Sequence, residues 1–330
     1  MNSQHISYTR WIGGLVLGGF TLFSALASPK TEPVKPAAKA TAASTPASVP
    51  AKAKPAMAAY DPAPTNISEM CVALSQRVVD IDAGLCADAA LRPSGAKSVR
   101  GVPIFHSDVI APRPAADAAS GAVHVGAERA RRRVLVIGAI HGDELSSAAV
   151  AFHWLRLAKE TAGQIEWRFV PVLNPDGMFM AKPQRMNANG VDLNRNFPTP
   201  NWQVEAPTYW ESRTKRDPRR YPGAKPLSEP ESRWLYDEME RFKPNLIVSI
   251  HAPYGVLDFD GPTVPPQRLG RLYLDQVGIY PGSLGNYGGV HKRVPVVTIE
   301  LNNAHRTPTS IEMRQMWLDM LRWIGERLPE

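Results

Sequence analysis

The sequence has little cysteine: Cys71 and Cys86 are its only two in 330 residues. Two cysteines at this spacing lack partner ligands nearby, which argues against a zinc finger or another cysteine-based metal site. A single pair of thiols in an oxidising compartment tends to become a disulfide. If the chain is exported, we therefore expect a Cys71–Cys86 disulfide, and two buried free thiols are the alternative.

The N-terminal apolar run is shorter than a bilayer span, which needs about 20 residues. It covers residues 11–26 and follows Arg10. Together with the small-x-small pattern at 25–27, this arrangement is typical of a secretory signal peptide, here residues 1–27. No cysteine stands at the cleavage point, so lipidation is not indicated. We expect export with no stable membrane insertion after signal cleavage, and an uncleaved N-terminal anchor is the alternative.

The sequence also lacks a stripe of basic residues interleaved with aromatic ones, although its formal net charge is +7. This absence argues against a nucleic-acid partner. Part of the basic excess lies between Lys30 and Lys54, and part in the run from Arg213 to Arg220. A solvated surface and tail account for this charge. Attraction towards an anionic substrate or cell wall is the alternative.

Composition divides the chain into four parts. After the signal peptide, residues 28–65 are nearly all Ala, Pro, Lys, Thr and Ser. Such a segment buries too little apolar surface to offset its ordering entropy, so we expect a disordered, extended linker. Residues 66–94 predict a small helical lead-in joined by the two cysteines. The catalytic domain is expected over 95–330, without internal repeats.

The catalytic domain alternates apolar strands with helices. With 44% hydrophobic residues, the chain can bury a full core. Apolar runs predict buried strands at 133–140, 167–174, 245–250 and 294–301. This alternation predicts an α/β fold, with a mixed, mostly parallel central sheet and helices on both faces.

Helix signals stand between and after these strands. Apolar spacing predicts a helix over 144–159. Ser228 and Glu231 predict a capping box that begins the next helix, which runs to about residue 242. Thr309 and Glu312 predict a second capping box, which begins the final helix.

Three polar signals follow or end three of the strands, at the sheet edge where sites form in open α/β sheets. His141 and Glu144, in the motif HGDE, follow the first strand, and their spacing lets both converge on one ion. His251 follows the third strand and completes a His₂Glu set, which leaves a catalytic zinc one open position. Glu300 ends an otherwise apolar strand, where a role as general base would explain the carboxylate.

A longer series of motifs resembles the zinc carboxypeptidase A superfamily, and within it most closely the bacterial murein peptide amidases. The motifs lie between residues 95 and 325 in the order HGDE, LNPDG, NANGVDLNRNFP, AKPLSEPES, SIHAPYG, PGSLG and VVTIE. The resemblance implies a zinc carboxypeptidase-like fold with one zinc ion per chain, held by His141, Glu144 and His251. It also implies that Glu300 is the general base that deprotonates a metal-activated water.

The resemblance assigns further roles around the metal. Asn194 and Arg195 match the pair that binds the terminal carboxylate of the substrate, which suits the planar fork of arginine. Arg185 matches the arginine that stabilises the oxyanion. The family closes a mobile tyrosine over the substrate. Tyr280 stands at about the right distance from the glutamate, in a loop shorter than in close relatives, and Tyr287 is the other candidate.

The resemblance also implies a substrate. Murein peptide amidases split the bond between γ-D-glutamate and meso-diaminopimelate, so a peptidoglycan-derived peptide is expected, and the signal peptide places the enzyme in the periplasm. A periplasmic carboxypeptidase for ordinary L-peptides is the first alternative, since it would use the same catalytic residues. An aspartoacylase-like deacylase is the second. A non-catalytic peptidoglycan-binding protein is the third, and it would require a broken site.

Overall fold

The computed structural model describes residues 63–110, 131–161 and 163–328. The predicted signal peptide at 1–27, and all but the last three residues of the predicted linker at 28–65, lie outside the described residues. In the described part of the chain, no helix combines the length and the apolar character that crossing a membrane requires.

A seven-stranded sheet forms the centre of the domain. Strands are numbered in chain order, and the seventh and eighth lie outside this sheet. The seven strands of the sheet are β1 (Arg92–Lys97), β2 (Pro103–Val109), β3 (Arg132–Ile137), β4 (Ile165–Val170), β5 (Leu246–His251), β6 (Val256–Asp260) and β9 (Val296–Glu300). The spatial order is β1-β2-β4-β3-β5-β9-β6, and the pairings among β4, β3, β5 and β9 are parallel. The outer pairings are antiparallel. A separate short hairpin joins β7 (Arg268–Leu269) and β8 (Leu272–Tyr273).

Helices cover both faces of this sheet. They are α1 (Ile67–Arg77), α2 (Ala83–Asp88), α3 (Leu145–Glu160), α4 (Pro175–Met178), α5 (Trp202–Ser212), α6 (Pro230–Phe242) and α7 (Ser310–Arg327). Successive strand side chains point to opposite faces. In β3, Val134 and Val136 join the hydrophobic cluster of α3 and α7, whereas Leu135 and Ile137 join the cluster of α6. The expected mixed sheet with helices on both faces is confirmed.

The two predicted capping boxes have different outcomes. Thr309 and Glu312 form the predicted reciprocal box at the start of α7. The box predicted for α6 is wrong, because Glu229 occupies the N-cap position and makes no side-chain cap. Glu231 instead turns into the core, where it accepts hydrogen bonds from Asn187 Nδ2 at 3.1 Å and from the backbone N–H of Val99 at 3.2 Å. Pairing with these donors replaces the local cap.

The helical lead-in packs against the main domain. Cys71 in α1 and Cys86 in α2 form a disulfide, with their Cα atoms 5.6 Å apart. Met70 and Leu74 in α1 are buried in the same hydrophobic cluster as α3 and one face of the sheet. The lead-in therefore extends the core of the catalytic domain.

Candidate active site

The carboxyl ends of three adjacent parallel strands bring the predicted metal ligands and general base to one edge of the sheet. His141 follows β3, His251 ends β5, and Glu300 ends β9. In the register of β5 and β9, His251 lies directly opposite Glu300. Glu144 stands just before α3, where the chain leaves the sheet edge. Strand order and register thus bring together residues that are far apart in the sequence.

His141, Glu144 and His251 converge on one point. Nδ1 of His141 lies 2.8 Å from Glu144 Oε1, and Nδ1 of His251 lies 3.0 Å from Glu144 Oε2. All three side chains are buried, and one ligand atom from each lies within 4.8 Å of the other two. Burial alone would raise the pKa of Glu144, but the two imidazoles outweigh it and hold this pKa below its usual range. The carboxylate is therefore ionised, as a metal ligand must be.

The second nitrogen of each imidazole is held by a neighbouring oxygen. His141 Nε2 lies 3.2 Å from Asp192 Oδ1, and His251 Nε2 lies 2.9 Å from Ser249 Oγ. Such partners fix ring orientation and tautomer at metal sites. Both Nδ1 atoms are left to face Glu144. The donor set fits a divalent metal such as zinc, which takes two histidines and one carboxylate in catalytic sites.

Arg185 lies beside this donor set. Its Nε donates to Asp192 Oδ2 at 2.9 Å, and its Nη1 lies 3.1 Å from His141 Nδ1 and 3.6 Å from Glu144 Oε1. Burial would raise the pKa of Asp192, but Arg185 and His141 hold it well below its usual range. Asp192 is thus an anion that positions both the imidazole and the guanidinium.

Asn194 and Arg195 form a second polar group in the same cavity. They lie in a 3₁₀ turn, Leu193–Arg195, whose start is capped by Asp192. Asn194 Oδ1 accepts from the backbone N–H of Leu284 at 2.8 Å, which turns the donor side of this amide away from Leu284. Arg195 is buried, and its Nε has no hydrogen-bond partner among the described residues. A buried donor without a partner is costly, so a ligand carboxylate would satisfy it.

The cavity that joins these groups has a volume of about 520 Å³. Its lining includes His141, Glu144, Arg185, Arg195, His251 and Glu300. Within the described part of the chain, the buried Oε2 of Glu300 has no hydrogen-bond partner. Burial raises the pKa of Glu300 above its usual value. A carboxylate with one unpaired oxygen opposite His251 is well suited to accept a proton.

The two candidate tyrosines lie in different surroundings. Tyr280 lines the cavity, its hydroxyl donates to the carbonyl of Val277 at 2.6 Å, and the guanidinium of Arg195 lies 4.5 Å from its ring centroid. Tyr287 does not line the cavity. Its ring is 3% exposed and packs against Phe197 and Tyr236 in the core. The structure brings Tyr280 into the site and leaves Tyr287 outside it.

Sequence reasoning did not single out three residues at the site. Ser249 orients His251, and Asp258 and Asp260 line the cavity. The signal for the aspartates was the alternation in VLDFD, in which acids occupy one face of a strand. Without the position of that strand beside β9, the pattern does not differ from a strand with a solvated face.

Comparisons with known proteins show which family this chain resembles. A family model described as "Zinc carboxypeptidase" matches residues 94–257. Murein peptide amidase A of Escherichia coli is 38% identical over 130 residues, which cover 39% of this chain and 52% of that protein. Murein peptide amidase A of Vibrio campbellii is 33% identical over 176 residues, which cover 51% of this chain and 69% of that protein. The chain thus spans about half the length of the first relative.

Among solved structures, that of thrombin activatable fibrinolysis inhibitor matches with a TM-score of 0.54 at 16% identity. The match covers 79% of this chain and 72% of that one, and at this identity it supports the fold alone. The family match and the relative matched over 69% of its length lead to one conclusion. This chain belongs to the zinc carboxypeptidase family.

Proposed function

We propose that this chain is a zinc-dependent exopeptidase of the murein peptide amidase type, which hydrolyses the bond between γ-D-glutamate and meso-diaminopimelate in murein peptides. The observation that carries the proposal is the shared cavity. It contains a His₂Glu donor set and, in the same space, a buried arginine suited to a carboxylate. The names of the two similar amidases support the choice of substrate.

His141, Glu144 and His251 would hold one zinc ion per chain. A divalent metal bound there would polarise the scissile carbonyl and make water more acidic. The guanidinium of Arg185, beside His141 and Glu144, stabilises negative charge that develops on the carbonyl oxygen. Asp192 keeps that guanidinium in position through its hydrogen bond from Arg185 Nε.

Glu300 acts as the general base. It takes a proton from the attacking water and passes it to the nitrogen of the leaving amine. Burial raises its pKa above the usual value, which makes the carboxylate a stronger base towards the attacking water. Its position opposite His251 keeps it next to the donor set.

Asn194 and Arg195 bind the free carboxylate of the residue that is released, which makes the enzyme an exopeptidase. Arginine suits this role because its planar fork meets a carboxylate through two hydrogen bonds. Tyr280, which stacks on Arg195, covers this subsite. Murein lies in the periplasm, and the predicted signal peptide and linker agree with export to that compartment.

The proposal is tested by hydrolysis of the tripeptide Ala-γ-D-Glu-diaminopimelate. We expect release of diaminopimelate that a chelator abolishes and zinc restores. Glu300→Gln should lower kcat by about 10²- to 10⁴-fold while zinc remains bound. Glu326→Gln, which changes an exposed glutamate in α7, is the matched control and should behave as the unchanged chain.

Other outcomes would reject this substrate. Hydrolysis of ordinary L-peptides but not of the tripeptide would make the chain a general carboxypeptidase with the same catalytic residues. Zinc binding without hydrolysis of either class would contradict the proposed reaction.

A further inference from the structure

The cavity contains two carboxylates that the proposed reaction does not use. Asp258 and Asp260 lie on β6, which pairs antiparallel with β9. In this register Asp258 lies opposite Thr298 and Asp260 lies opposite Val296. Thr298 precedes Glu300 by two residues, so it shares a strand face with the general base. Both aspartates line the cavity on that face.

These two carboxylates are buried without a compensating cation. Asp258 is 7% exposed and Asp260 8% exposed. Within the described residues, neither forms an ion pair with Lys, Arg or His. Asp258 accepts hydrogen bonds from the backbone N–H groups of Phe259 and Val277, whereas Asp260 accepts none from the described part of the chain. Burial, followed by repulsion from Asp258, raises the pKa of Asp260 to about 7. Buried carboxylates normally have a partner, so the missing one is expected to arrive with a ligand.

The backbone segment that packs against β6 leaves space for Asp260. The π-helical segment Gly285–His291 packs its first residue against this side chain. A Cβ atom at Gly285 would collide with Asp260 Oδ2, and one at Gly289 would collide with the Asp260 backbone and Cβ. Gly285 therefore leaves room for the carboxylate in the cavity wall, and Gly289 lets the two backbones approach closely.

We propose that Asp258 and Asp260 form the subsite for a side-chain ammonium group on the residue that is released. The inference rests on the proposed function, in which Arg195 binds the carboxylate of that residue and Glu300 marks the scissile bond. Residues two apart on a strand are about 7 Å apart. Asp258 lies opposite Thr298 on the neighbouring strand, so it is a diagonal neighbour of Glu300 at about 7–8 Å, which suits an amine at the end of a four-carbon side chain.

This subsite defines a substrate class. Diaminopimelate and lysine carry an amino group at the end of the side chain, whereas norleucine has the length of lysine without the amine. A buried charged hydrogen bond makes a difference of about 10- to 100-fold. We expect kcat/KM for Ala-γ-D-Glu-lysine to exceed that for Ala-γ-D-Glu-norleucine by at least this factor.

Amide variants test the two residues. Asp260→Asn and Asp258→Asn preserve the side-chain shape and should bring the lysine-to-norleucine ratio of kcat/KM towards 1. Asp237→Asn is the matched control, because Asp237 is exposed on α6 and does not line the cavity. It should keep the preference. If the wild-type protein shows no preference in kcat/KM for the lysine tripeptide, the proposal is overturned, whatever the variants do.

A binding measurement separates this inference from the proposed reaction. Calorimetric titration of the Glu300→Gln protein with L-lysine and with L-norleucine reports on the subsite without catalysis. We expect lysine to bind at least tenfold more tightly than norleucine. This preference should be lost in the double variant that combines Glu300→Gln with Asp260→Asn. Equal affinities would overturn the subsite. Absence of hydrolysis for every tripeptide, with lysine still preferred in binding, would instead reject only the proposed reaction.

Discussion

Nδ1 of His141 lies 3.2 Å from Nδ1 of His251, although the two residues are 110 positions apart in the chain. The other nitrogen of each ring is engaged, by Asp192 and by Ser249. Two imidazole lone pairs and the Glu144 carboxylate therefore face one another in a buried space. A shared divalent cation would satisfy all three at once, which is the physical basis for proposing a metal there.

Asp192→Asn should lower zinc affinity by about 10- to 100-fold, because the amide no longer orients His141 as an anionic acceptor. Competition with a chromogenic chelator measures this. Asp237→Asn, an exposed site on α6, is the control. An unchanged affinity in the Asp192 variant would contradict the positioning role.

Arg195→Lys should raise KM for the tripeptide by about tenfold or more, because lysine cannot reproduce the two-pronged contact with a carboxylate. The same variant should discriminate less between the tripeptide and its C-terminal amide. Steady-state kinetics on both substrates test this, with the exposed Arg327→Lys as control. If the Arg195→Lys variant and the wild-type protein discriminate equally between the tripeptide and its amide, the substrate carboxylate does not bind at Arg195.

Glu231 should make folding stability depend on pH. Burial raises its pKa to about 7 in the folded protein, whereas a glutamate in the unfolded chain titrates near about 4.3. Between these values the folded state retains a proton that the unfolded state has released. The free energy of unfolding should therefore fall as pH rises through this window, by on the order of 3 kcal/mol from this group.

The variant Glu231→Gln should flatten that decline. The variant also loses the hydrogen bond from Asn187, which lowers stability at every pH. The test is therefore the slope of the free energy of unfolding against pH, not its absolute value. Urea unfolding at a series of pH values measures it. A slope equal to that of the exposed control Glu326→Gln would show that Glu231 does not titrate in this window.

The disulfide should stabilise the lead-in. Cys71 and Cys86 are 15 residues apart, and closing a loop of that size is worth about 3 kcal/mol in the chain-entropy model. The double variant Cys71→Ala, Cys86→Ala should lose roughly this amount in urea unfolding. Reduction of the unchanged chain provides an independent check. Identical unfolding midpoints would show that the link contributes nothing.

Gly285→Ala should reduce the preference for lysine over norleucine to the level of Asp260→Asn, because the new Cβ displaces Asp260 Oδ2. Gly325→Ala is the control, since a Cβ there meets open space in α7. That control should raise helix stability by up to about 1 kcal/mol. If the Gly285→Ala variant keeps the preference for lysine, Gly285 does not shape the subsite.

Local patterns were sufficient for the elements and for the donor set. Apolar runs predicted β3, β4, β5 and β9, because a strand buried on both faces needs apolar residues throughout. His141, Glu144 and His251 could be named from sequence because they stand at or just after the ends of recognisable strands, in motifs that resemble a known family. Parallel strands then bring such positions to one edge. The roles of Glu300, Arg185, Asn194 and Arg195 remain proposals, which the variants above test.

The sequence by itself therefore determined the four buried strands β3, β4, β5 and β9, most of the helices and the residues at the sheet edge, because these depend on side-chain period and short-range spacing. Only the tertiary structure decided which face of β6 borders the cavity, that Tyr280 lines it while Tyr287 packs in the core, and that Glu231 turns inward. Those outcomes depend on which neighbours each side chain meets. Such contacts arise between segments far apart in the chain, so no local pattern contains them.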